Sequence, residues 1–454
     1  MDLTYLPFMM IDVTVVLGCS FALLSKRILC VLHPSFVYLL FHIFCVSFRL
    51  FLLLLGGTPM PNMPGVMSSD EICRAALLAD LALVAMTVGW FWAMRRSRRS
   101  SRNSVTPTPT MLSRGVMVVA AVVTGIIGII GLLYFGFAAH LTAEKLGEYN
   151  PSSYLFMTTS WAVQAVLILH FMFGFPKWLI AATSFVFFIT MYNTARFTVV
   201  LGGLFLILTY ASRTGRRWPT LKMSVLAAAI ALLYFPMKTI SSAIRDGEGF
   251  ETVVQKAIDV YGAGARDERA AEVGFLDMAA CVITLSDERG ERFWGKPWLM
   301  IFSAPIPRQI WLDKPPLNEY LYTLQTSERP MATMGMTPLI FGDAYLNFGI
   351  IGVAFWPLIV GYFMGRLYHK AMLRGHLTAH RLVYLVLLAT SLQLYRDCLA
   401  QAILFPTTAY LPLLMVALVN VIYGRRRNSA LGFLPGRRFS NDRPVNAVVR
   451  LDSV

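Results

Sequence analysis

Charge is what this chain lacks. Only 14% of its 454 residues are Asp, Glu, Lys or Arg, against about 25% in an average soluble domain. With 56% hydrophobic residues, a water-soluble surface is excluded. Catalytic signatures are missing as well. There is no HExxH, no GxSxG and no DxD pair to hold a metal-nucleotide. The six cysteines (Cys19, Cys30, Cys45, Cys73, Cys281, Cys398) show no CxxC or Cys/His spacing, so neither a zinc site nor a disulfide framework is expected. No internal repeat or two-fold hydropathy symmetry appears, which argues against an inverted-repeat transporter. A stretch from Gly290 to Lys296 imitates a phosphate-binding loop, but Pro297 replaces the magnesium-binding Ser/Thr and Phe293-Trp294 crowd the cradle.

What is present is a series of apolar runs. Crossing the hydrocarbon takes about 20 apolar residues, and that criterion gives about eleven candidate spans. They are Tyr5–Leu24, Phe36–Leu55, Cys73–Met94, Val116–Phe137, Tyr154–Phe173, Trp178–Thr194, Phe197–Ala211, Leu221–Ile240, Leu339–Leu367, Leu382–Leu404 and Ala409–Tyr423. The sixth and seventh are short and meet tightly at Tyr192–Arg196. Met1-Asp2 carries no basic region, so the first run is expected to be a retained span.

The acids set the topology. Of 25 Asp and Glu residues, 14 fall between Ala243 and Gly335, while elsewhere Lys and Arg outnumber acids 30 to 11. Bases cluster at Lys26/Arg27, Arg95–Arg99, Lys177, Arg213–Arg217, Lys370–Arg381 and Arg425–Arg427. Basic loops stay cytoplasmic. The net charge of +15 therefore reads as positive-inside patterning and not as nucleic-acid binding. This orientation puts the N-terminus outside, the C-terminus inside and the acidic loop on the extracytoplasmic face. The expected organisation is a bundle over 1–242, a large loop over 243–335, three further spans over 336–424 and a basic tail over 425–454. The tail and the Ser97–Thr110 linker would rest on anionic headgroups.

The loop mixes Trp294, Trp298, Trp311, Tyr320 and Tyr322 with Arg308, Lys314 and several carboxylates. Flat rings beside hydrogen-bonding groups suit a sugar; the plainer reading is interfacial anchoring. Prolines across Pro305–Pro316 forbid a regular helix and fix Arg308, a fork for phosphate oxygens, and Lys314, a point charge. Asp343 and Asn347 are spaced to share one helix face. Ionisable residues inside spans are functional candidates by default; here they are Arg49, Asp80, Arg196, Lys238, Arg396 and Asp397.

Several short patches resemble the Wzy-type O-antigen and repeat-unit polysaccharide polymerases. These are His33-Pro34 with Arg49, Asn193–Phe197 around Arg196, Pro305–Pro315, Gly342–Gly352 and Tyr395-Arg396-Asp397. The resemblance implies an all-α polytopic integral membrane protein, GT-C-like, in the bacterial inner membrane. Its expected activity is polymerisation of undecaprenyl-diphosphate-linked oligosaccharide repeat units at the periplasmic face. No cofactor or metal is expected, and the partners would be membrane lipids, a flippase and a chain-length regulator. Gly342-Asp343 stands where related chains often have Gly-Glu.

Departure of a diphosphate needs cations fixed where negative charge develops. Arg196, Arg308, Lys314 and Arg396 are the candidates, with Arg49 and Arg245 behind them. The acceptor hydroxyl needs a base, for which Asp277, Asp313 and Asp343 stand first and His140 in reserve. Trp294, Trp311, Tyr320 and Asn347 are the candidate sugar contacts. The alternatives are a ligase that transfers finished glycan, which the absence of a loop histidine disfavours, and a flippase or transporter of lipid-linked oligosaccharide.

Overall fold

The computed structural model describes residues 2–57, 68–101, 112–133, 157–192, 196–228, 243, 248–259, 274–290, 292–303, 306, 310–313, 337–372, 377–400, 402–403 and 410–431. Among these the architecture is all-helical. The helices are α1 Leu6–Ser25, α2 Pro34–His42, α3 Phe48–Leu54, α4 Ser69–Ser101, α5 Arg114–Gly131, α6 Trp161–Phe173, α7 Lys177–Tyr192 and α8 Arg196–Thr214. They continue with α9 Phe250–Asp259, α10 Phe275–Arg289, the single turn α11 Lys296–Leu299, α12 Leu339–Met372, α13 Ala379–Arg396 and α14 Leu411–Leu431.

Among the described residues, five stretches are long and apolar enough to cross a bilayer: Leu3–Ser25, Pro34–Leu54, Ser69–Arg96, Arg114–Gly131 and Leu339–Met372. Shorter apolar helices lie at Trp161–Phe173, Lys177–Thr190, Thr198–Thr214 and Leu411–Ile422. The protein is a multi-pass membrane protein. Its surface agrees, because Leu17 and Phe21 on α1, Val119, Val122 and Ile126 on α5, and Ile351, Phe355 and Phe363 on α12 are all exposed. Stripes of this kind face lipid, not water. The eighth expected span is helical over 221–228; its remainder, and the tight junction at 193–195, fall outside the described residues.

Local chemistry starts and interrupts these helices. His33-Pro34 opens α2, with proline preset for the first turn and the His33 ring accepting a hydrogen bond from the Ser35 amide. A π-helical turn, Ile43–Ser47, joins α2 to α3. Such turns widen the helix and rotate the residues beyond them onto a new face. His42 consequently faces α1 and α4, while Arg49 faces α10.

The longest helix is two helices. Gly349 in α12 has φ 64° and ψ −152°, far from helical values. Before the break, Leu339–Asn347 is buried throughout; after it, 350–372 exposes apolar side chains. The whole of α12 would run about 51 Å at 1.5 Å per residue, longer than a hydrocarbon core of about 30 Å. Only the second half matches that thickness. The first half is a short helix packed inside protein.

Helices α4 and α12 cross at very close range. A Cβ added to Gly89 would lie 2.2 Å from the Leu358 carbonyl oxygen, and one on Gly361 would lie 2.4 Å from that of Met86. Gly89-x-x-x-Ala93 thus meets Gly361-x-x-x-Gly365, the small-residue pattern that lets membrane helices approach backbone to backbone. The interior divides into two apolar clusters. One surrounds Trp90, Phe205 and Tyr384; the other surrounds Leu50, Leu276–Ile283 and Leu339–Leu346. The second holds the chemically interesting groups. At the opposite end of α12, Arg217, Ser212, Leu377 and Arg381 tie the base-rich segments together.

The crossing yields a test. Gly89→Ala should lower stability by about 1–3 kcal/mol through overpacking. Gly115→Ala, which meets open space, should be neutral or slightly stabilising. Thermal melting of the detergent-purified protein measures both, and equal melting temperatures would refute the close crossing.

Candidate functional site

The acidic segment between 243 and 335 contributes a buried helix. From Leu276 to Ile283 all but one residue of α10 is buried, although the segment reads as loop by charge. Arginines from three other elements reach it. Arg49, at 1% exposure, presents its guanidinium fork to Asp277, at 0%. Nε donates to Oδ1 at 2.9 Å and Nη2 to Oδ2 at 2.5 Å. A charge in this environment persists only when paired and hydrogen-bonded, and the bidentate fork supplies both.

About 15 Å further along α10, at 1.5 Å per residue, Asp287 anchors a second cluster. Arg74 reaches its Oδ2 at 2.6 Å, and Arg292 reaches its Oδ1 at 2.7 Å. The Tyr345 hydroxyl donates to the same carboxylate at 2.9 Å and accepts from Arg74 at 2.6 Å. Both guanidiniums lie over the Tyr345 ring, at 5.6 and 4.6 Å from its centre. Burial alone would raise the Asp287 carboxyl, but the Arg292 hydrogen bond, the Tyr345 hydroxyl and the Arg74 charge outweigh it and hold the group below the usual carboxylate range. Two guanidiniums against one carboxylate leave a net positive charge. Arg74 is half exposed, so this charge faces outward.

Between these pairs lies the broken start of α12. Asp343 accepts from the Trp298 indole at 2.9 Å and the Leu399 amide at 3.1 Å. The Asn347 amide group donates to the Asp343 carbonyl at 2.8 Å and accepts from the Gly295 amide at 2.9 Å. The helix break frees carbonyls, and the loop takes them: the Phe293 amide donates to Leu346 and the Trp294 amide to Asn347, each at 3.1 Å. The stretch that imitates a phosphate-binding loop is therefore the strap that caps the Gly349 break.

The structure brings Arg49 and Asp277 together as mutual partners and buries Asp343 and Asn347 in the strap network. Arg396 lies 3.9 Å from Asp397 and over the Phe275 ring at the start of α10. Trp294 is 71% exposed beside Phe348, and Trp311 and Asp313 are exposed. Arg196 opens α8. Arg245, Arg308, Lys314, Tyr320 and His140 lie outside the described residues. Sequence reasoning missed Arg74, Asp287, Arg292 and Tyr345, since polar residues beside span ends are common and carry no local signal. Asp80, flagged as an ionisable residue inside a span, stands with Asp12 and His42, which that reasoning missed, in the set among the described residues whose donor atoms could hold a metal. An acid in the first span was the available signal.

Two outcomes are expected. Asp277→Asn, which strands Arg49, should cost roughly 3–5 kcal/mol, whereas replacing both partners by apolar residues should cost much less; a double-mutant melting cycle checks this. The depressed Asp287 carboxyl adds stability that is fully present above its unfolded value of about 3.9 and is lost as pH falls through the lower folded value. Asp287→Asn should flatten that acid limb in pH-dependent melting curves, and an unchanged limb would refute the coupling.

No curated protein and no solved structure matches this chain. Residues 327–393, which hold the Asp343–Asn347 turn, the Gly349 break and most of α13, match the family model described as "Putative O-antigen polymerase", and this match supports the Wzy-type polymerase family.

Proposed function

We propose that the protein polymerises undecaprenyl-diphosphate-linked oligosaccharide repeat units at the periplasmic face of the bacterial inner membrane. In the transfer, an acceptor sugar hydroxyl attacks the anomeric carbon of the donor glycan. A carbon–oxygen bond forms, the bond to the diphosphate breaks, and the lipid diphosphate leaves with the electron pair. The transfer itself uses no metal and no nucleotide sugar. A flippase and a chain-length regulator are the expected partners.

The observation that carries this reading is the outward-facing charge at Arg74 and Arg292, fixed by Tyr345 and Asp287. Guanidiniums held in advance stabilise a leaving diphosphate without reorganising. Arg308, Lys314, Arg245, Arg196 and Arg396 are proposed to extend the grip, and Tyr320 to join Trp294 and Trp311 beneath the sugars. Among the three candidate bases, Asp277 and Asp343 are buried and held by donors, while Asp313 is exposed. Asp313 is therefore the proposed base, and the buried pair Arg49–Asp277 supports α10 from below.

Deleting the gene should leave lipopolysaccharide or exopolysaccharide with a single repeat unit. Arg308→Ala should reproduce that phenotype at normal protein level. Arg74→Ala and Arg292→Ala should each slow polymerisation by about 10²-fold, the usual cost of one donor to a developing charge. Gel ladders of the glycan report the result. A full ladder in the deletion strain would overturn polymerisation, complete loss of glycan from the lipid A core would favour a ligase, and intermediates trapped facing the cytoplasm would favour a flippase.

A further inference from the structure

We propose that Asp12, His42 and Asp80 form an intramembrane binding site for one divalent cation of the zinc class, which pins α1 to α2 and α4. The three residues come from three separate spans and are 0%, 3% and 5% exposed. Asp80 stands eleven residues into α4, about 16 Å from its start, at a depth where unpaired charge is least tolerated.

The cluster leaves buried acceptors open. His42 Nε2 is 2.8 Å from Asp12 Oδ1 and 3.4 Å from Asp80 Oδ1. One ring nitrogen carries at most one proton, so it serves one carboxylate. Among the described residues, Asp12 Oδ2 and both Asp80 carboxylate oxygens are buried with no hydrogen-bond partner. An enclosed Asp80 thus aims two unsatisfied acceptors into the cluster. With a protonated imidazole and both carboxylates ionised, one negative charge is left for a proton or a cation to cancel.

A divalent cation removes both deficits. Its charge cancels two carboxylates and leaves the imidazole neutral, the form in which it ligates. One donor atom from each residue lies within 4.8 Å of the others. Bonds of about 2.0–2.1 Å in tetrahedral array place ligands about 3.3 Å apart, a spacing that the two measured separations bracket. An imidazole nitrogen with two carboxylates suits zinc, manganese or iron, whereas magnesium and calcium want six or more oxygens. The Ser47 hydroxyl stands beside Asp12 and is buried. It belongs to the π-helical turn that lies between His42 and Arg49. The cation would therefore stiffen the turn that aims Arg49, apart from any role in glycosyl transfer.

The test uses the full-length protein purified in detergent. Elemental analysis should find about one zinc-class ion per chain. After chelation, added Co²⁺ should give visible d–d absorption, with affinity at least about tenfold weaker in His42→Ala and in the near-isosteric Asp80→Asn. Chelation should lower the melting temperature of the parent protein and leave both variants unmoved. A folded parent protein with no bound metal and no Co²⁺ spectrum would overturn the site, as would equal Co²⁺ uptake by both variants.

Discussion

A charge removed from water inside an apolar bundle has to be satisfied by another helix, and the Arg49–Asp277 fork is where this protein meets that constraint most completely. The two residues are 228 positions apart in sequence. Their pairing decides where α10 sits, because neither can be buried without the other. Buried ion pairs add little net stability compared with apolar packing, but breaking one is expensive. The consequence is register: α10 is locked against α3, and the pairs at its two ends, near Phe275 and at Asp287, fall into place along it.

The rest of the site is arranged around the broken helix α12. Its first half is buried and polar in detail, with Asp343 and Asn347 bonded to the strap that carries Trp294 and Trp298. Its second half faces lipid and packs on α4 through glycines. Arg74, Trp294 and Asp313 are, by contrast, exposed. The division suits a reaction whose substrates arrive in the membrane plane.

Much of this was legible in the sequence, and the limits have physical causes. Hydropathy located the long spans. The spacing of Asp343 and Asn347 correctly placed them on one helical face. Hydropathy could not show that α12 breaks at Gly349, since both halves are equally apolar. It could not show that α10 is buried either, because Asp277 and Asp287 mark the segment as polar until Arg49 and Arg74 are seen to neutralise them. A charge inside a span announces that a partner exists without naming it. The pairings Arg49–Asp277, Arg74–Asp287 and His42–Asp12 are long-range facts that no local pattern encodes.

The proposed polymerisation depends most directly on whether Arg74 and Arg292 hold a lipid diphosphate. Native mass spectrometry of the protein in lipid nanodiscs, titrated with undecaprenyl diphosphate, measures this without a polymerisation assay. The prediction is one saturably bound lipid diphosphate, with affinity lower by at least about 100-fold in the Arg74→Ala/Arg292→Ala variant, since charge-assisted hydrogen bonds contribute roughly 1.5–3 kcal/mol each. A folded double variant that binds the lipid as tightly as the parent protein would contradict it.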